Sequence, residues 1–148
     1  MDFISSMEIS ASGLSAQRTR LNIISQNLAN ANVTRTAEGG PYRRQITVFS
    51  AEPFTNQLRK AIDQPLYRAD PRRGVLVNEV KSDPSPFKRV YDPSHPDADD
   101  EGYVNLPNVE IVTEMTNLIN ASRSYDANVS AVQASKNMAM KALEIGRA

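Results

Sequence analysis

The position of the prolines constrains this chain more than any other feature. All nine lie between Pro41 and Pro107, eight of them by Pro96, and neither the first 40 nor the last 41 residues contain one. Proline removes a backbone donor and clashes with the turn before it, so a helix interior excludes it. The chain of 148 residues therefore divides into a helix-permissive segment at 1–35, a proline-rich middle at 36–107 and a second helix-permissive segment at 108–148.

Both ends carry helical periodicity. In the first, Ile4, Met7, Ala11, Leu14, Leu21, Ile24, Leu28 and Ala31 step by three and four, broken only by a polar gap at Arg18. Met7, Leu14, Leu21 and Leu28 repeat every seven residues, the mark of a helix that meets other helices. Asp2 is placed to cap its start. In the second, Met115, Leu118, Ser122, Tyr125, Val129, Val132, Lys136, Ala139 and Leu143 follow the same steps. Asn108 is placed to cap that helix, and Gly146 stands where a terminating glycine belongs. At 1.5 Å per residue the helices would be about 42 and 54 Å long. Each has a single apolar stripe and needs a partner surface. Two arrangements supply one: an antiparallel hairpin within a monomer, or an oligomer. Small residues at Ala11, Ala29, Ala31, Ser122 and Ala139 allow close approach but bury little area, at about 25 cal/mol per Å², which tilts the reading towards assembly.

The middle reads as strands and turns. Arg43–Ser50, Gly74–Val80 and Phe87–Tyr91 have strand patterns, separated by turn signals at Gly39-Gly40-Pro41, Asp83-Pro84 and Asp92-Pro93. Ala51–Arg73 shows no clear pattern. The expected fold class is α+β: long N- and C-terminal helices packing as a coiled coil, with a small β-rich, proline-containing middle.

Composition excludes several functions. There are 17 basic and 17 acidic residues, whereas a nucleic-acid binder carries a basic excess. No cysteine is present and His95 is the single histidine, which removes disulfides, thiolate metal sites and the usual Ser-His and Cys-His pairs. No apolar run reaches the roughly 18 residues that span a bilayer, and the N-terminal residues lack the pattern of a Sec signal. Asp97–Gly102 (DADDEG) opens like a calcium loop, but its twelfth position is Asn108 instead of glutamate and PSHP cannot form the entering helix. It reads as a solvated acidic turn. Asn32-Val33-Thr34 and Asn128-Val129-Ser130 fit the glycosylation pattern but fall in or beside helix seams. No catalytic residue, metal site, cofactor or small-molecule substrate is assigned. One cluster stands out: Asn22, Asn27, Asn30 and Asn32 crowd the end of the first helix. They read either as a helix terminus and turn, or as a fixed corner whose amides are satisfied by side chains of a neighbour.

That corner carries a resemblance. SQNLANANVTRT (Ser25–Thr36) resembles the signature of bacterial flagellar axial proteins, Asn-(Leu/Ile)-Ala-Asn-(Ala/Ser)-Asn-Thr, matched at Asn27, Leu28, Ala29, Asn30, Ala31 and Asn32. Val33 departs by standing before Thr34. NLINASRSYDANV (Asn117–Val129) resembles the C-terminal helix of the same family. Asp83–Glu110 is similar to the small proximal rod subunits of the C type, rather than to the longer distal rod and hook proteins.

The resemblance implies a non-enzymatic structural subunit of the proximal rod, part of a hollow shaft that transmits torque. It implies export, without a cleaved signal, by the flagellar type III apparatus, and a place in the basal body within the periplasm. The implied partners are copies of itself, other rod proteins and the membrane ring at the rod base. In the family the terminal helices are poorly ordered until neighbours cover them. The expected assembly interface is Met7, Leu14, Leu21, Leu28, Met115, Leu118, Tyr125, Val129 and Val132, with corner residues Asn27, Asn30 and Asn32. The rival readings are a soluble helical adaptor or export chaperone, and a peptidoglycan hydrolase, for which no pair among the 17 acids is singled out.

Overall fold

The computed structural model describes residues 3–37, 39–51 and 74–146. The expected cap at Asp2, the Ile4 seam side chain and the unpatterned stretch beyond Ala51 lie outside the described residues.

Among the described residues, two long helices stand in sequence on either side of four short strands. In chain order they are α1 (Phe3–Ala29), β1 (Gln45–Ala51), β2 (Val75–Ser82), β3 (Lys88–Tyr91), β4 (Tyr103–Leu106) and α2 (Ile111–Ile145). The fold is α+β, as the proline distribution predicts. β1 pairs with β2 in one two-stranded sheet and β3 with β4 in another. The second pair is antiparallel, with Lys88 opposite Leu106 and Tyr91 opposite Tyr103. Strand β4 has no counterpart among the strands expected from the sequence, because only four residues separate the DADDEG turn from Pro107.

α1 ends where the asparagines begin. The backbone amide and the side chain of Asn30 both donate to the Gln26 carbonyl, at 3.1 and 2.8 Å, satisfying an acceptor that the helix end leaves free. Asn108 does not cap α2 as expected. Its side chain bonds the Arg44 backbone amide and the carbonyls of Asp83 and Ser85, and the helix starts three residues later, at Ile111.

The chain forms two compact units, and each takes a part of both helices. One comprises Arg20–Val48 and Glu79–Ala121; the other comprises Met1–Thr19, Phe49–Asn78 and Ser122–Ala148. In the first, Ile24, Ala31, Val104 and Ala121 are buried, and Asn27 on α1 meets Glu114 on α2. In the second, Ala16 and Ser135 are buried. There a Cβ on Gly13 would stand 3.1 Å from the Asn128 side chain, so glycine lets the helices approach.

Candidate assembly interface

Where α1 hands over to the strands, the unit Arg20–Val48 with Glu79–Ala121 holds a buried polar cluster built around Asn27 and Glu114, each 1 % exposed. An asparagine amide has two donors and two acceptor sites, and all four are used. Its Nδ2 donates to the Gln45 carbonyl at 2.8 Å and to Glu114 Oε2 at 3.0 Å. Its Oδ1 accepts from the Gln45 amide and from the Tyr42 hydroxyl, both at 2.9 Å. Asn27 therefore serves as a substitute strand partner for the first residue of β1.

Glu114 is neutralised from the same segment. Arg44 Nη2 and Nε donate to its Oε1 at 2.6 and 3.0 Å, and Asn117 Nδ2 adds a longer bond of 3.3 Å. Arg44 Nη1 reaches Asp83 Oδ2 at 3.0 Å. Burial works against the Arg44 charge, but the hydrogen bonds to Glu114 and Asp83 outweigh it and hold its pKa above the usual arginine value. Burial, then the nearby Glu114 carboxylate, push the Tyr42 phenol up, so it stays a donor to Asn27. The Ser85 hydroxyl and amide, then Arg44, hold Asp83 down at about 2. An ion pair out of water persists only when its other lone pairs and protons are also partnered. Here they are.

The outward face of α2 is of the opposite kind. Ile111, Val112, Met115 and Ile119 are all exposed, Val112 at 72 % and Met115 at 53 %. Ile111, Met115 and Ile119 are spaced by four and form one stripe. Nearer its end, Met138, Met140, Leu143 and Ile145 are exposed as well. The outward positions of α1 differ, with Ala11, Ser15, Arg18, Asn22, Ser25 and Ala29 small or polar.

The expected interface residues fall into three groups. Met7, Leu14, Leu21 and Leu28 on α1, and Leu118, Tyr125, Val129 and Val132 on α2, are half-buried. Met115 is exposed, as are the seam positions Ser122, Lys136 and Leu143. The deepest row of α2 lies one residue earlier, at Glu114, Ala121 and Ser135, with half-buried Asn128 in line. Small or polar side chains are invisible to a search for apolar periodicity, so this row carries no such signal in the sequence. Of the corner residues, Asn27 is buried, Asn30 half-buried and Asn32 exposed. Asn27 finds its partners within its own chain, on Tyr42, Gln45 and Glu114. Arg44 and Glu114 were not singled out from the sequence. The available signal was an isolated acid one turn into an otherwise uncharged helix start.

The acidic turn organises itself through its own chain. Asp97 accepts from Thr34 Oγ1 at 2.8 Å. Asp99 accepts from the amides of Glu101 and Tyr103 and from Arg89 Nη2, at 3.1, 2.7 and 2.7 Å. His95 Nδ1 accepts from the Asp97 amide at 3.1 Å.

Comparison with known proteins agrees with these stretches. Residues 7–35 match the family model described as flagella basal body rod protein. Residues 100–145 match that described as flagellar basal body rod FlgEFG protein C-terminal. The flagellar basal-body rod protein FlgC of Borreliella burgdorferi is 44 % identical over 98 % of this chain and 98 % of its own. FlgC of Bacillus subtilis is 43 % identical, over 96 % of this chain and 97 % of its own. FlgC of Salmonella typhimurium is 37 % identical over 99 % of this chain and 100 % of its own. Likeness of this extent along nearly the whole length places the chain in a family: it belongs to the FlgC flagellar basal-body rod proteins.

Proposed function

We propose that the chain is a non-catalytic subunit of the proximal rod, seated among other rod proteins and copies of itself through its two terminal helices. Membership of a rod-protein family makes it a structural component of the flagellar basal body. The observation that carries the finer reading is the exposed stripe Ile111–Met115–Ile119. Apolar area of this extent is left in water by a solitary subunit and is removed from it by a neighbouring helix. Met7, Leu14, Leu21 and Leu28 offer a second, half-buried row, with Leu118, Tyr125, Val129 and Val132 opposite in sequence order. Asn30 and exposed Asn32 stand at the corner where a neighbour would seat. In this reading the subunit crosses the inner membrane through the flagellar type III apparatus, without a cleaved signal. It then stands in the periplasm between the membrane ring and the distal rod and passes torque along a hollow shaft.

The test is incorporation into rods. Met115→Asp changes an exposed side chain, so the free subunit should keep its helical circular dichroism and its export, while basal bodies from the strain should lack a rod and the cells should not swim. Normal motility with normal incorporation of the variant would sink the interface. Recovery of the wild-type protein only from cytosol, bound one to one to another flagellar protein, would favour the adaptor reading instead.

A further inference from the structure

Arg43, unlike its neighbour Arg44, is held in place by groups that do not neutralise it. Its Nη1 donates to the carbonyls of Asp83 and Ser85 at 3.0 and 3.3 Å, and its guanidinium lies 4.3 Å from the centre of the Phe87 ring. The Asp83 carboxylate is taken by Ser85 and Arg44. Among the described residues, Nε and Nη2 of Arg43 have no hydrogen-bond partner, so this charge is fixed by its surroundings and left for water or an anion. It borders a cleft of about 610 Å³, lined also by Thr36, Gly39, Gly40, Ser82 and Phe87. That size falls in the range of about 300–1,000 Å³ usual for binding sites. The loop at its rim is preformed. The Thr36 amide and hydroxyl both donate to the Gly40 carbonyl, at 2.9 and 3.3 Å, and the Gly39 amide donates to the Thr36 carbonyl at 3.0 Å. A Cβ at Gly39 or Gly40 would meet nothing within 4 Å, so the rim is bare backbone, open to a second chain.

We propose that this cleft seats the tip of the acidic turn, Asp100–Glu101, of a second copy of the chain, with Arg43 as its charge partner. Charge complementarity carries the choice of occupant. The Nε–Nη2 edge of a guanidinium is a fork that takes a carboxylate through two parallel hydrogen bonds. The turn offers carboxylates that its own fold does not use. Asp99 is spent on holding the turn, through the amides of Glu101 and Tyr103 and through Arg89. Asp100 is exposed, and the Glu101 side chain is 74 % exposed, reaching Arg89 only at 3.4 Å. Cleft and tip are both fixed by bonds within the chain, so little ordering is lost when they meet. They share no residue, and the contact is therefore heterologous: each docked copy leaves a free cleft on one side and a free tip on the other, which is the contact that continues a ring or a helix. The proposal rests on the reading of the chain as a rod subunit beside copies of itself, and adds to it a contact that does not involve the α2 stripe.

The chain has no cysteine, so introduced ones report this contact alone. Ser82 in the cleft and Asp100 at the tip are both exposed. In isolated basal bodies under mild oxidation, the full chain with both Ser82→Cys and Asp100→Cys should give a ladder of disulfide-linked dimers, trimers and longer products, while either substitution alone should give none. Adding Glu101→Gln, which removes the remaining charge of the tip, should slow the ladder roughly tenfold; an unchanged rate overturns Arg43 as the charge partner. Basal bodies that contain the double variant but yield only monomer, or a monomer closed on itself, overturn the contact and leave the rod reading standing. If the double variant is missing from basal bodies, Arg43→Lys decides, because it keeps the charge and adds an amine. Carbodiimide should then join that amine to Asp100 or Glu101 in a band of doubled mass, as read by mass spectrometry, and the lack of that link overturns the proposal. Basal bodies without the wild-type chain would instead refute the rod reading.

Discussion

Asn27 shows how much one amide can organise when it has no water to fall back on. Truncating it leaves the amide and carbonyl of Gln45, the Tyr42 hydroxyl and a Glu114 oxygen short of a partner. A buried polar group left unsatisfied costs roughly 1–3 kcal/mol. Asn27→Ala should therefore lower the unfolding free energy by about 3 kcal/mol, with the denaturant midpoint as the measurement. A midpoint within error of the parent would mean that water replaces the amide. Asp83 makes a pH prediction. Its folded pKa is about 2 against an ordinary 3.8, so the folded state binds the proton less readily than the unfolded one. Its contribution to stability is complete above about pH 4 and is lost as the pH falls through about 2. Asp83→Asn should flatten the acid limb of a stability profile taken between those values; an unchanged limb would assign it to other carboxylates.

At the scale of elements, the β3–β4 pair depends on its turn more than on its length. Gly102 has φ +80°, and a Cβ there would stand 2.9 Å from the Tyr91 ring. Glycine alone adopts that backbone freely, and here the Tyr91 ring packs edge-on to Tyr103 at 5.3 Å across the strands. Gly102→Ala should cost about 1–2 kcal/mol and weaken amide protection at Tyr103–Leu106 in hydrogen exchange, while the helix pair keeps its own. The sequence made the long helices and their boundary with the β region legible, because proline and the heptad spacing are strong local signals. It also made β1, β2 and β3 visible through their branched and aromatic residues. What it hid was long-range. Nothing local links Arg44 to Glu114, 70 positions apart, and an inward row of Glu, Ala, Asn and Ser offers no apolar period to count. Asn108 stands before a helix, where a cap belongs, yet its side chain is bonded to the backbone of Arg44 and of the Asp83–Ser85 turn.

For the molecule as a whole, the two faces of α2 do different work. The inward one buries Glu114, Ala121 and Ser135, and the outward one keeps Ile111, Met115 and Ile119 in water. If neighbours in the rod cover that stripe, Met115 should oxidise to its sulfoxide under dilute peroxide several-fold more slowly in isolated basal bodies than in the free subunit, as read by mass spectrometry. Equal rates would leave the stripe uncovered and point assembly elsewhere. The Asn27–Glu114 contact has one more result, an electrical one. Aligned peptide units give each helix about half a positive charge at its start and half a negative charge at its end. The last turn of α1 meets the first turn of α2 there, so the negative pole of one helix lies beside the positive pole of the other. Glu114, in that first turn, adds a carboxylate where a positive pole favours one.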